Sequence, residues 1–164
     1  MVIVLFGVSG AGKTTVGTQL ARELAWEFLD GDDYHPPENR KKMREGVALT
    51  DQDRWPWLAV IRDSIGRALA AKRSAVVACS SLSRAHRDYL RQPGVTFVYL
   101  RGAPEVIRPR LERRKEHFFE PGLLASQFEA LEEPDDGVVV DIDQPVEGIV
   151  AEVLARLHLP RAPA

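Results

Sequence analysis

The stretch Val2-Ile3-Val4-Leu5-Phe6-Gly7-Val8-Ser9-Gly10-Ala11-Gly12-Lys13-Thr14-Thr15-Val16 decides how this chain is read. Val2–Phe6 is continuous, apolar and rich in β-branched residues, the pattern of a strand buried on both faces. Gly7–Thr14 fits G-x-x-x-x-G-K-[ST], and after Lys13 the residues Val16, Leu20 and Leu24 fall on one helical face. Glycines here let consecutive backbone N–H groups turn toward one anion, and the helix that follows aims its positive end at the same point. Gly10, Ala11, Gly12, Lys13, Thr14 and Thr15 are therefore the expected contacts to the phosphates of ATP. Lys13 is the mobile charge for the β- and γ-phosphates and Thr14 the hydroxyl for Mg2+. A glycine-rich turn with an exposed lysine would satisfy the letters but not the strand–loop–helix setting.

Downstream, strand-like and helix-like segments alternate, which points to an α/β fold with a parallel sheet. Glu27–Asp30, Ala75–Cys79, Val95–Leu100 and Val138–Ile142 read as four further strands. Helices are expected over Pro36–Glu45, Asp51 to about Lys72, Ser83–Arg91, Pro104–Arg114 and Pro145–Leu159, with one short helix inside the charged segment from Glu116 to Pro134. Pro109 lies within the helix expected over Pro104–Arg114. A mid-helix proline removes a hydrogen bond and costs about 3 kcal/mol, so a kink or a late start is expected there. No repeat, linker or low-complexity stretch interrupts the 164 residues, and a single three-layer domain over 1–164 follows.

Composition narrows the class. Apolar residues make up 45% and charged residues 28%, the balance of a globular protein, and a net charge of −2 argues against a large nucleic-acid or membrane surface. The apolar start is short, lacks a charged leader and breaks at Gly7, and the one cysteine, Cys79, sits in an apolar run. A cytoplasmic protein with a buried, inert thiol is expected.

The third strand ends Ala78-Cys79-Ser80-Ser81, without an acid; the second ends Asp30-Gly31-Asp32. The carboxyl ends of strands in open α/β sheets face the ligand crevice. Asp30 is accordingly assigned to the water shell of the metal and Asp32 to the acceptor hydroxyl, against the plainer reading of a turn with capping aspartates. Arg108, Arg110, Arg113, Arg114 and Lys115 precede a polar segment able to close over the site. Of these, Arg110 and Arg114 are the candidates for stabilising transferred charge, and the rest fit a solvated helix face. Arg54, near the start of a helix, is a bidentate candidate for a substrate carboxylate. Taken alone, Arg54, His35 and His117 would each pass for ordinary surface residues.

Several segments together resemble the bacterial-type gluconokinases, small P-loop kinases related to shikimate and nucleoside monophosphate kinases. They are the phosphate loop, Phe28-Leu29-Asp30-Gly31-Asp32 with His35-Pro36, and Leu49-Thr50-Asp51-Gln52-Asp53-Arg54 with Pro56-Trp57-Leu58. Further matches are Cys79-Ser80, Arg87-Asp88, Arg110-Leu111, Arg114-Lys115, His117-Phe118-Phe119, Ser126-Gln127-Phe128-Glu129, Leu131-Glu132-Glu133-Pro134 and Asp141-Ile142-Asp143-Gln144-Pro145. The resemblance implies a three-layer P-loop kinase fold with a five-stranded parallel sheet, helices on both faces and a mobile lid at about 114–134. It also implies transfer of the ATP γ-phosphoryl group to the 6-hydroxyl of gluconate by a homodimer. Adenine contact falls near Arg110 and Gln144-Pro145, and substrate contact near Asp32, His35, Arg54, Ser80 and His117. The chain departs from the family pattern at Ser83, where lysine is usual and Arg84 next to it is a replacement cation, at Ala48 in place of proline, and at Pro109.

A related kinase for shikimate or a nucleoside monophosphate is the runner-up reading; a monophosphate acceptor would favour more arginines between residues 35 and 90. A guanine-nucleotide switch would carry Asn-Lys-x-Asp, which the sequence lacks.

Overall fold

The computed structural model describes residues 1–113 and 123–163. In chain order the elements are β1 (Val2–Phe6), α1 (Lys13–Leu24), β2 (Glu27–Asp30), a 3-10 turn (Gly31–Tyr34), α2 (Pro37–Arg44), α3 (Asp51–Ala70), β3 (Ala75–Ala78), α4 (Arg84–Leu90), β4 (Val95–Arg101), α5 (Pro104–Glu112), α6 (Leu124–Ala130), β5 (Val138–Asp141) and α7 (Val146–Arg156). The five strands form one sheet in the order β2-β3-β1-β4-β5, and every pairing is parallel. β1 lies in the centre, with Leu5 opposite Ala78 on one side and Val98 on the other.

Pleating sends alternate residues to opposite faces, and β1 divides accordingly. Ile3 and Leu5 enter a core with Val16 and Leu20 of α1, Ile107 and Leu111 of α5, and Ile149 and Val153 of α7. Val2, Val4 and Phe6 enter a second core with Trp57, Leu58, Ile61 and Ile65 of α3 and Leu90 of α4. All five residues of β1 are buried, as the uninterrupted apolar run predicts. Cys79, just beyond β3, lies inside the second core, and burial pushes its thiol up to about 12.

Most element ends differ from expectation by one to three residues, and two differences concern the third strand and α5. The third strand stops at Ala78. α5 starts at Pro104 and runs through Pro109 to Glu112, so the late start does not occur. Burial of Ile107 and Leu111 on its inner side compensates the lost backbone bond. α5 also lies hard against the glycine-rich loop: a Cβ on Gly10 would stand 2.9 Å from both Ile107 Cγ2 and Leu111 Cγ.

Candidate active site

The loop between β1 and α1 ends at Gly12, whose φ of 91° is left-handed and which caps α1 without a side chain. A glycine here leaves the first N–H groups of α1 unobstructed, as an anion-binding helix start requires. Lys13 reaches back over the loop, donating to the carbonyl oxygens of Gly7 and Val8 at 2.9 Å each. Thr14 and Thr15 lie exposed in the first turn of α1, and Ala11 is buried beneath them.

The end of β2 and the 3-10 turn after it bring Asp30 and Asp32 to the same rim. The Thr14 hydroxyl donates to Asp30 Oδ2 at 2.7 Å, while Asp30 Oδ1 accepts from the backbone N–H of Asp32 at 3.0 Å. The Asp30 carboxylate therefore does two things: it meets the loop hydroxyl and it caps the 3-10 turn that carries Asp32. A hydroxyl and a carboxylate in contact fit an Mg2+ ion that takes most of its ligands from phosphates and water. Gly31 between them is sterically required, since a Cβ there would lie 2.5 Å from the Ala78 carbonyl oxygen.

Asp32 opens onto a cleft lined by Ser9, Lys13, His35, Met43, Leu49, Arg54, Trp57, Ser80, Leu123, Ser126 and Gln127. Burial pushes its carboxyl upward and the Lys13 ammonium pulls it back down. The side chain keeps 38% of its accessible surface, so water in the cleft mouth screens both effects. His35 stands beside it, with Nε2 4.0 Å from Asp32 Oδ1. Far from an ordinary surface histidine, it is buried and stacked on Trp57 at 4.1 Å between ring centres. Burial, with the nearby guanidiniums of Arg40 and Arg54, lowers its pKa to about 4.

Arg54 is placed by a capping box at the head of α3. The Thr50 hydroxyl accepts from the Asp53 N–H, and Asp53 Oδ2 accepts from the Thr50 N–H. Asp53 is further occupied by Lys42 at 2.8 Å. That leaves Arg54, next in sequence, with an ion pair of 3.9 Å to Asp51. Its side chain is only 14% exposed and lines the cleft. A guanidinium held this way is an under-neutralised cation facing the cleft.

On the other side of the loop, Arg110 donates to the Ile142 carbonyl at 3.2 Å, which places it next to Gln144 and Pro145. Gln144 is fixed by the Asp141 carbonyl and Glu152, and Pro145 caps α7. The three residues expected at the adenine thus come together at the turn between β5 and α7. Arg84 does not replace a lysine in the cleft: it is paired with Asp135, away from the cleft-lining residues. Ser83 instead caps α4, accepting from the His86 N–H, a role a lysine could not fill. Arg114 and His117 lie outside the described residues, as do residues 114–122 of the expected lid. Residues Leu123 and Leu124 of that segment are buried in the first core, and the Glu132 N–H donates to the Leu82 carbonyl.

Three residues in or behind the cleft wall carry no role in the sequence reading. Trp57 donates through Nε1 to the Gly31 carbonyl at 2.7 Å, tying α3 to the Asp30–Asp32 turn. Asn39 of α2 contacts His35 and the Asp53 carbonyl. Gln127 of α6 accepts from the Ser9 N–H inside the phosphate loop at 3.2 Å. Spacing marks Trp57 as an inward residue of α3, but its partner is far away in sequence and no local pattern encodes it.

The family model for shikimate kinase matches residues 9–156. The thermoresistant gluconokinase of Escherichia coli K12 is 44% identical over 159 residues, covering 93% of this chain and 91% of that protein. A gluconokinase of Arabidopsis thaliana is 47% identical over 146 residues, covering 80% and 77%. The crystal structure of a gluconokinase from Sinorhizobium meliloti 1021 superposes with a TM-score of 0.85 at 46% identity, covering 95% of this chain and 90% of that one. On this similarity over most of its length, the chain belongs to the gluconokinase family, within the wider shikimate kinase group of P-loop kinases.

Proposed function

We propose that this protein transfers the γ-phosphoryl group of ATP to the 6-hydroxyl of D-gluconate, giving 6-phosphogluconate and ADP. The observation that carries the reading is the single cleft in which Asp32, His35 and Arg54 face Lys13 and Ser9 of the phosphate loop. A polyol acid offers hydroxyls for the first two and a carboxylate for Arg54. Similarity to gluconokinases over most of the chain supports the same substrate.

Gly10, Ala11, Gly12, Lys13, Thr14 and Thr15 would hold the phosphates, with adenine against Arg110, Gln144 and Pro145. Mg2+, held by Thr14 and through water by Asp30, would neutralise charge on the β- and γ-oxygens. Asp32 orients the 6-hydroxyl and receives its proton as the O6–P bond forms. The bond from phosphorus to the β,γ-bridging oxygen breaks, and its electron pair leaves with ADP. Lys13 exchanges its two loop carbonyls for phosphate oxygens as charge develops. Ser80 contributes to the acceptor cleft; Arg114 and His117 are assigned to the transferred phosphoryl group and the substrate on the family resemblance. The enzyme is further proposed to work in the cytoplasm as a homodimer, checked by light scattering of the purified chain.

ADP release measured across gluconate, other aldonates, glucose, shikimate and nucleoside monophosphates tests the reading. Gluconate should give the highest kcat/KM, and phosphorus NMR should place the new ester on the primary hydroxyl. A higher kcat/KM for shikimate or a monophosphate would overturn it.

A further inference from the structure

Asn39 is 3% exposed and stands behind the cleft lining, and its amide is held from two sides. Its Nδ2 lies 2.9 Å from the Asp53 carbonyl oxygen, and a carbonyl only accepts, so that atom is the donating nitrogen of the amide. The same nitrogen lies 3.3 Å from His35 Nδ1, which must then be the acceptor. A neutral imidazole has one N–H. We propose that Asn39 is a positioning residue that holds His35 as the Nε2–H tautomer, so that a proton and not a lone pair faces the acceptor cleft beside Asp32.

The rest of the surroundings agree. His35 is kept neutral by burial and by Arg40 and Arg54, and among the described residues Asp32 is the acid paired with it. Its ring plane is set by Trp57, at 14° between planes, and Trp57 is in turn bound to the Gly31 carbonyl. The consequence is a two-sided test of the substrate group. Nε2–H donates to the oxygen of an acceptor hydroxyl while Asp32 accepts that hydroxyl's proton, so a group that is both donor and acceptor satisfies the pair. A carboxylate or an ether at the same place lacks the donated proton and leaves Asp32 facing a lone pair. Specificity for an alcohol would thus begin at Asn39, one residue removed from the substrate.

This inference rests on the kinase reading only for its consequence; the tautomer itself is measured without substrate. Nitrogen-15 NMR of the full chain at neutral pH should show His35 protonated at Nε2. Asn39→Ala should lower kcat/KM for gluconate about tenfold, the size of one hydrogen bond, while leaving KM for ATP unchanged. In a His35→Gln background the side-chain amide supplies an N–H near the Nε2 position and does not tautomerise, so adding Asn39→Ala should cost little more. An Nδ1–H signal for His35 in the unmodified protein overturns the proposal even if Asn39→Ala fails to fold. Equal losses from Asn39→Ala in both backgrounds overturn it as well, since that would mark Asn39 as merely structural. If the Nε2–H signal stands while gluconate is not a substrate, the kinase reading falls and the tautomer assignment survives.

Discussion

Asp30 and Asp32 are separated by one glycine and answer to different partners: Asp30 to the Thr14 hydroxyl, Asp32 to the open cleft and the Lys13 charge. Their substitutions should therefore separate. Asp32→Asn should lower kcat by about 10²–10⁴-fold, the usual contribution of a general base, with KM for ATP little changed. Asp30→Asn should instead raise the Mg2+ concentration needed for half-maximal rate. A magnesium titration of both variants decides; if Asp32→Asn alone shifts the metal requirement, the roles are reversed. Arg54→Ala removes a charge-assisted contact and should raise KM for gluconate by about ten- to a hundredfold, with KM for ATP unaffected. An unchanged gluconate KM would place the carboxylate elsewhere. At this scale the sequence was legible wherever the chemistry is local. Asp-Gly-Asp at a strand end states its geometry in its spacing. The burial of His35 was not legible, because it is made by Trp57 and Asn39, which reach it from two other helices.

Among elements, α3 does the most to build the acceptor side. It carries Arg54 on its first turn and Trp57 one turn later, and the Trp57 N–H is the bond that fastens it to the Asp30–Asp32 turn. Trp57→Phe keeps a ring in the core and removes that donor. It should lower stability by about 1–3 kcal/mol, the cost of an orphaned buried carbonyl, read from urea denaturation. It should also raise KM for gluconate more than KM for ATP, because α1 and the phosphate loop are held independently by the first core. Equal effects on both constants would show that α3 supports the whole site and not one half of it. The five strands were readable because parallel strands buried on both faces leave uninterrupted apolar runs. α5 was harder: Pro109 argues against a helix locally, and only the fit of Ile107 and Leu111 against Gly10 explains why the helix persists. Propensity is a property of the segment, whereas that contact belongs to the fold.

For the whole molecule, protonation links the site to stability. His35 titrates near 6.5 when unfolded and about 4 when folded, so between these values the unfolded chain binds more protons and stability rises with pH. The contribution is fully present above pH 6.5 and is lost as pH falls toward 4; it amounts to at most about 3 kcal/mol. His86, lowered by burial and by Arg54, acts in the same direction, whereas Asp32, pushed upward by burial, acts against it. The urea midpoint should be lower at pH 5 than at pH 7, and the gap should narrow in His35→Gln; a midpoint that rises on acidification would contradict this. A last consequence comes from Cys79, the one cysteine of the chain, sealed in the second core with its thiol pushed up to about 12. Thiolate is the reactive species, so the native protein should be silent to maleimides and to Ellman's reagent, and should give one equivalent in urea. That makes it a ready background for spectroscopic labelling. Ala125→Cys, on the exposed side of α6, would supply a single reactive handle two residues from Gln127 without removal of any native side chain from the core. A fluorophore attached there would report, in real time, how α6 responds when nucleotide competes for the Ser9 N–H.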